Sequence, residues 1–224
     1  NRTYTGYWKE KRNLSALQMN VLELFAGSCS FAKVANQLGY NTFTTDINKY
    51  ENVDLVADIM SIRPFMIPFE PDIIWASPPC TAFSVASIST YWKGGKNAYV
   101  PKKAESYIGL ALVQRAKDMI AHYKPKFWYI ENPRGVLRKL DIVEDLPIRH
   151  TVWYCQYGDQ RAKPTDIWTN DKSWTPRPVC KNGNPDCHHT PAPRGSKTGT
   201  QGLKNSYERA KVPEELCREI LACF

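Results

Sequence analysis

No stretch of this 224-residue chain approaches the roughly 20 consecutive apolar residues that a membrane-spanning helix requires, so no membrane partner is expected. Histidine is scarce, with four in the chain, which leaves a cysteine-dependent hydrolase without a convenient base. His122 falls inside a helical pattern, His150 opens a late strand, and His188-His189 belong to a loop-rich segment. Acidic residues are in deficit too: 22 against 30 lysines and arginines give a net charge of +8. The seven cysteines (29, 80, 155, 180, 187, 217 and 223) are odd in number and lack the spacing of a small disulfide scaffold. Free thiols in a reducing compartment are expected. Hydrophobic residues at 42% and aromatics at 12% suffice for one buried domain with a small appendage.

The positive charge is unevenly spread. Residues 171 to 211 hold eight lysines and arginines against three acids, and residues 91 to 103 add Lys93, Lys96, Lys102 and Lys103 with no acid. Two basic segments flanking one candidate site favour a nucleic-acid partner over a merely solvated face.

Strand-like runs alternate with helical patterns: strands at 21–25, 42–46, 73–76 and 126–131, helices at 30–38 and 104–123. Apolar positions 108, 111, 112, 116, 119, 120 and 123 follow the 3, 4 spacing of a buried helical face. Such alternation predicts an α/β fold with a doubly wound, mainly parallel sheet. The runs at 150–154 and 166–169 have no helix between them and predict an antiparallel hairpin at one sheet edge. Five prolines between 171 and 200 mark a small loop-rich basic insert, and Pro213-Glu214-Glu215 opens a closing helix at about 213–222.

The most informative segment is Ser77-Pro78-Pro79-Cys80, which ends the apolar run 72–76. A thiol at the carboxyl end of a buried strand, presented by a turn stiffened with prolines, stands where open α/β sheets bind their ligands. Cys80 is therefore a candidate nucleophile. After the first strand, Phe25-Ala26-Gly27-Ser28-Cys29-Ser30 leads into a helix, a turn whose amides suit the polar end of a ligand. Asp46, followed by Ile47, ends the second strand, where an acid accepts both hydroxyls of a ribose. Asp58-Ile59, near the end of a third, suits an adenine amine and ring face. Cys180, Cys187, His188 and His189 can ligate metal but lack finger spacing, so no metal is expected.

The order of these segments resembles the DNA cytosine-C5 methyltransferase family over roughly residues 20 to 170. The matching pieces are Glu23-Leu24-Phe25-Ala26-Gly27-Ser28, Asp46, Asp58-Ile59, Pro78-Pro79-Cys80 with Phe83-Ser84, Glu131-Asn132, and Gln160-Arg161-Ala162-Lys163. A weaker echo of the last family motif lies at 209–213. The resemblance implies a Rossmann-like sheet binding S-adenosylmethionine through Phe25, Ala26, Gly27, Ser28, Asp46, Ile47, Asp58, Ile59 and Pro78. Cys80 would be the nucleophile, Glu131 the acid at the cytosine edge, and Arg161 the cation near its O2, with Lys163 in second place. Ser84, Lys93, Lys96, Asn132, Arg194 and Lys197 would contact DNA, duplex or single-stranded.

The loop 81–103 would close over a flipped base, with Trp92, Tyr91 or a serine filling the gap. The parts expected are a catalytic unit over 1–170, a reduced recognition insert over 171–205, and a returning helix over 206–224. With so small an insert, weak sequence context is expected. The polar start Asn1-Arg2-Thr3-Tyr4 is unlike a secretion signal, which leads to an expected cytoplasmic location in a prokaryotic, viral or phage-like setting. Three alternatives accompany this reading: a nucleic-acid-binding protein without turnover, an enzyme acting on RNA, and a donor carrying an extra carboxylate met by a basic residue of Arg209-Ala210-Lys211-Val212.

Overall fold

A computed structural model of the chain describes residues 18–95, 98–193, 203 and 205–224. Its strands are β1 (Asn20–Leu24), β2 (Asn41–Asp46), β3 (Leu55–Val56), β4 (Ile73–Ala76), β5 (Trp92–Lys93), β6 (Val100–Pro101), β7 (Phe127–Pro133), β8 (Ile148–Trp153) and β9 (Pro164–Thr169). Seven of them form one sheet in the order β3-β2-β1-β4-β7-β9-β8, while β5 and β6 pair separately. The β3-β2-β1-β4-β7 portion is parallel, and β9 runs antiparallel to both β7 and β8. The predicted hairpin is thus present, with β8 at the edge.

The central strands are apolar on both sides because both sides are covered. Leu22, Leu24, Ile74, Ala76 and Ile130 join a core with Val113, Ala116 and Met119 of α3 (Ala104–Tyr123). Their neighbours Val21, Ile73, Trp75 and Tyr129 join a second core with Phe31, Val34 and Ala35 of α1 (Ser30–Gln37) and Leu216, Cys217, Ile220 and Leu221 of α5 (Glu214–Leu221). This alternation is the two-residue period of a strand. The Phe31 and Trp75 rings stack at 4.6 Å and lock α1 to β4.

Local chemistry sets the helix ends. Past α1, Gly39 takes a φ of +85° that costs glycine least. Helix α3 stops at Lys124, held left-handed at φ 48° just before Pro125, which cannot continue the helix hydrogen bonding. At its start, α1 is capped by Glu23 of β1, whose carboxylate accepts from the amides of Ala32 at 2.7 Å and Phe31 at 3.4 Å.

Two segments depart from the expected pattern. Residues 47–72 contain no α-helix; besides the two-residue β3 they make a 3-10 turn at Pro64–Met66, because prolines at 64, 68 and 71 interrupt the run. The segment expected as a closing loop at 81–103 instead carries the short helix α2 (Ile88–Tyr91) and the β5–β6 pair. The insert is loop-rich as predicted, with no helix or strand over 171–193. It is not detached: Trp174 is 3% exposed against Tyr129, and Arg177 pairs with Glu215 and Glu219 of α5 at 2.7 Å each.

Strand order reverses between β1 and β4. Ligands of such sheets bind outside the carboxyl ends of the strands at that point, which is where the segments after Leu24, Ala76 and Asn132 emerge.

Candidate active site

In register, Leu24 pairs with Ala76 and Ala76 with Ile130, so the chain leaves three adjacent parallel strands at one level. After β4 the Ser77 amide donates to Leu24 O at 3.2 Å, and Trp75 Nε1 donates to Ser77 Oγ at 2.9 Å, extending the strand to the prolines. Pro78 is buried and Pro79 exposed. The half-buried Cys80 then opens a turn whose carbonyl accepts from the amides of Phe83 at 2.9 Å and Ser84 at 3.0 Å.

The end of β7 braces this turn. Asn132 Nδ2 donates to Pro78 O at 2.9 Å and the Val136 amide to Phe83 O at 2.8 Å, while Ser84 bridges Gly135. A side chain at Gly135 would overlap the Phe83 carbonyl, so only glycine permits this approach. Asn132 is fully buried, and its Oδ1 alone among buried side-chain polar atoms of the described residues has no partner. A bound donor would satisfy it.

Beside Cys80 stands Glu131, 5% exposed on β7. It accepts at Oε1 from the hydroxyl of Tyr154 at 3.0 Å, and Tyr154 is itself fully buried. Lys163 lies over the Tyr154 ring at 4.6 Å and donates to Arg209 O at 3.0 Å. Burial pushes the Cys80 thiol above its ordinary range; the Lys163 ammonium opposes this and Glu131 adds to it. Burial likewise holds Lys163 below its usual value, with Glu131 and Cys80 pulling it back up. Thiol, carboxyl and ammonium thus sense one another's charge.

Arg161 lies over the same Tyr154 ring at 5.8 Å, but its donors are spent elsewhere. Its guanidinium pairs with Asp159 and donates to the carbonyls of Glu208, Arg209 and Lys211 at 3.0 to 3.3 Å. With those donors occupied, it fastens the end of α4 (Ser206–Ala210) and the residue that follows it.

The turn after β1 has the shape of a ligand cradle. Phe25, Gly27 and Cys29 all take positive φ, at 57°, 51° and 54°, so Phe25 leaves the strand it was expected to end. Gly27 N–H donates to Asp46 Oδ2 at 2.9 Å, while Asp46 Oδ1 accepts from Asn48 N–H at 2.8 Å. Asn48 Nδ2 also donates to Oδ1, at 3.3 Å, so Oδ2 is the oxygen that keeps a lone pair for a hydroxyl. Ile47 beside it is 65% exposed, an apolar surface that a ring would cover. Asp58 is exposed with Oδ1 on the Met60 amide at 2.9 Å, and Ile59 is buried. Ser28 Oγ and Ser30 Oγ share a hydrogen bond at 2.7 Å, and Ser30 Oγ accepts from the Val212 amide at 3.2 Å, bringing residues 209–213 back to this turn. These residues fit a nucleoside with a polar tail.

The C-5 cytosine-specific DNA methylase model matches residues 19–143. The chain belongs to that family. It is 30% identical over 215 residues, 91% of this chain and 99% of the relative, to a protein of Frog virus 3 (isolate Goorha) named a probable DNA (cytosine-5)-methyltransferase. Family membership makes the protein a DNA (cytosine-5)-methyltransferase. Among solved structures it resembles a prophage-encoded E. coli protein described as a DNA modification methyltransferase, at 14% identity and TM-score 0.49. It also resembles Spodoptera frugiperda DNMT2, at 17% identity and TM-score 0.42. The matches take in 74% and 78% of this chain, which spans 53% and 57% of those two.

Around the family's core, the remaining candidates fall as follows. Ser84 is half-buried with its hydroxyl on Ser87 Oγ at 2.9 Å, and Lys93 is exposed on β5. Trp92 is 3% exposed, stacked on Phe83 and donating to Ala82 O at 2.6 Å, so it packs under the turn rather than reaching a flipped base. Lys96, Arg194 and Lys197 lie outside the described residues. His188 faces Asp159 O at 3.1 Å, away from the cysteines it was grouped with. Tyr154 was missed, although its signal was legible: an aromatic hydroxyl ending a strand next to the Gln-x-Arg-like segment.

Proposed function

We propose that the protein methylates C5 of cytosine in DNA with S-adenosylmethionine, through a covalent bond between Cys80 and C6 of the ring. The observation that carries this is the convergence of Cys80 and Glu131, at the carboxyl ends of parallel strands, with Lys163, at the amino end of antiparallel β9, beside the cradle of Gly27 and Asp46. When bound, S-adenosylmethionine supplies an electrophilic methyl group. Phe25 to Ser28 and Pro78 would hold its methionine side, Asp46 and Ile47 its ribose, and Asp58 and Ile59 its base.

Cytosine C5 is a weak nucleophile until C6 is attacked. Cys80 gives its thiol proton to water, its Sγ forms the bond to C6, and the displaced electron pair moves into the C5–C4–N3 system. Glu131 holds a proton against N3 and accepts from the exocyclic amine, where the negative charge collects. Lys163 adds a fixed positive charge at the same ring. Once C5 carries the methyl group it loses its proton to a base, the S–C6 bond breaks, and the thiolate leaves with that pair. Lys211 is paired with Glu208 at 2.9 Å, which favours the ordinary donor over a carboxylated one.

Reduced recognition by the 171–205 insert would leave sequence context weak, and a reducing cytoplasm would suit seven unpaired thiols. The test is incubation with radiolabelled S-adenosylmethionine and duplex DNA, single-stranded DNA or RNA, beside Cys80→Ala. Label should enter DNA with the wild type alone. Cofactor binding without label in any nucleic acid would overturn the reading, and label confined to RNA would replace DNA as substrate.

A further inference from the structure

Cys155, Cys180, Cys187 and His189 come from two segments distant in sequence, yet their ligand atoms all lie within 4.8 Å of one another. Cys155 lies in the 3-10 turn Tyr154–Tyr157 that follows β8, and the other three belong to the basic insert. Cys180 Sγ is 3.9 Å from His189 Nδ1, and Gln156 Nε2 donates to Cys155 Sγ at 3.9 Å and Cys187 Sγ at 3.8 Å. Cys155, Cys180 and His189 are buried, and Cys187 is half-buried.

We propose that these four residues bind one structural zinc ion that fastens the insert to the catalytic sheet. Three thiolates and an imidazole are a closed tetrahedral donor set with no position left for water or substrate. With zinc–sulfur bonds of about 2.3 Å, a tetrahedron places its sulfurs roughly 3.8 Å apart, so the group needs to contract only slightly. Soft thiolates select zinc over magnesium or calcium. Coordination through Nδ1 leaves the ring proton on Nε2, so the Gly183 amide, which donates to Nε2 at 3.1 Å, gives up that acceptor on loading. The site was masked in the sequence because Cys155 is 25 positions from Cys180, whereas the adjacent His188 looks like a ligand and is not.

The ion would also steady the active site without touching it. Cys155 follows Tyr154, the partner of Glu131, and the Thr190 amide, next to His189, donates to Gln160 O at 3.0 Å beside Arg161.

Elemental analysis of tag-free protein purified without added metal should give one zinc per chain, and cobalt exchange should give the intense visible bands of tetrahedral thiolate coordination. Cys187→Ser and Cys155→Ser should lose the ion, His189→Cys should keep it as a four-sulfur site, and His188→Asn should keep it unchanged. Should a variant fail to fold, the wild type still decides. Absence of stoichiometric metal with all thiols alkylated in the native protein, or a disulfide among Cys155, Cys180 and Cys187 in freshly isolated protein, overturns the assignment. Loss of zinc in His188→Asn but not His189→Ala does so as well.

Discussion

Tyr154 donates its hydroxyl hydrogen to Glu131 at 3.0 Å from the far side of the sheet's antiparallel edge. Neither group is accessible to water, so the bond fixes which way the carboxyl faces. Tyr154→Phe keeps the ring and removes that one donor. A hydrogen bond to a buried, chargeable group is worth about 1.5 to 3 kcal/mol, so kcat should fall about 10- to 100-fold. S-adenosylmethionine affinity, measured by calorimetry, should stay within about twofold, since the Tyr154 hydroxyl bonds Glu131 and not the turn of Gly27 and Asp46. An unchanged kcat would show that Glu131 is oriented without it.

Lys163 and Arg161 should separate cleanly into one residue for the reaction and one for the fold. Lys163→Met removes the ammonium that opposes the raised Cys80 thiol and should slow turnover about 100-fold, with a urea midpoint close to the wild type. Arg161→Met leaves Asp159 and three carbonyls without their shared partner. Loss of one member of a buried pair costs about 3 to 5 kcal/mol, so the urea midpoint of Arg161→Met should drop sharply. The opposite pattern would restore Arg161 to the ring.

The Cys80 thiol gives a pH signature. Burial is the largest influence and raises it, so the resting protein holds the protonated thiol at neutral pH. Iodoacetamide labelling of Cys80, followed by peptide mass spectrometry, should accelerate as pH rises past 8.5 without reaching a plateau. In Lys163→Met burial and Glu131 still act upward, opposed only by the smaller pulls of the Cys80 amide and Arg209, and labelling at pH 7.5 should slow further. A plateau below pH 7 would mean a thiolate held ready before substrate arrives.

Much of this site was legible because its residues sit at strand ends, where the two-residue period and the turn chemistry are both strong. Cys80, Glu131, Gly27 and Asp46 do lie at the ends of adjacent strands, and α3 lies where its 3, 4 spacing put it. What was not legible shares a cause. Arg161 and Lys163 are two residues apart with equal charge, and only Asp159 and the carbonyls of Glu208 and Lys211, to which Arg161 donates, separate them. Trp92 is an aromatic in a basic segment by sequence, and its burial on Phe83 depends on packing that the segment itself does not encode. Cys155 joins the insert cysteines only through the return of the chain across β8 and β9.

Glu23 offers a test of stability rather than turnover. It is 2% exposed beneath the cofactor turn, and burial raises its carboxyl to about 7, against the opposing pull of the Ala32 and Phe31 amides. An acid with a raised folded-state pKa contributes stability that is complete below its unfolded value, near 4.5, and is lost as pH climbs through about 7. The protein should therefore lose stability between pH 5 and pH 8 through this group, by up to about 3 kcal/mol at 1.36 kcal/mol for each pKa unit. Glu23→Gln keeps the shape and an acceptor for the Ala32 amide but cannot ionise. Its urea unfolding free energy should match or exceed the wild type at pH 8, and the advantage should shrink toward pH 5. A Glu23→Gln protein less stable than wild type at pH 8 would mean that the helix amides hold the carboxylate charged, and that capping of α1 outweighs the cost of burial.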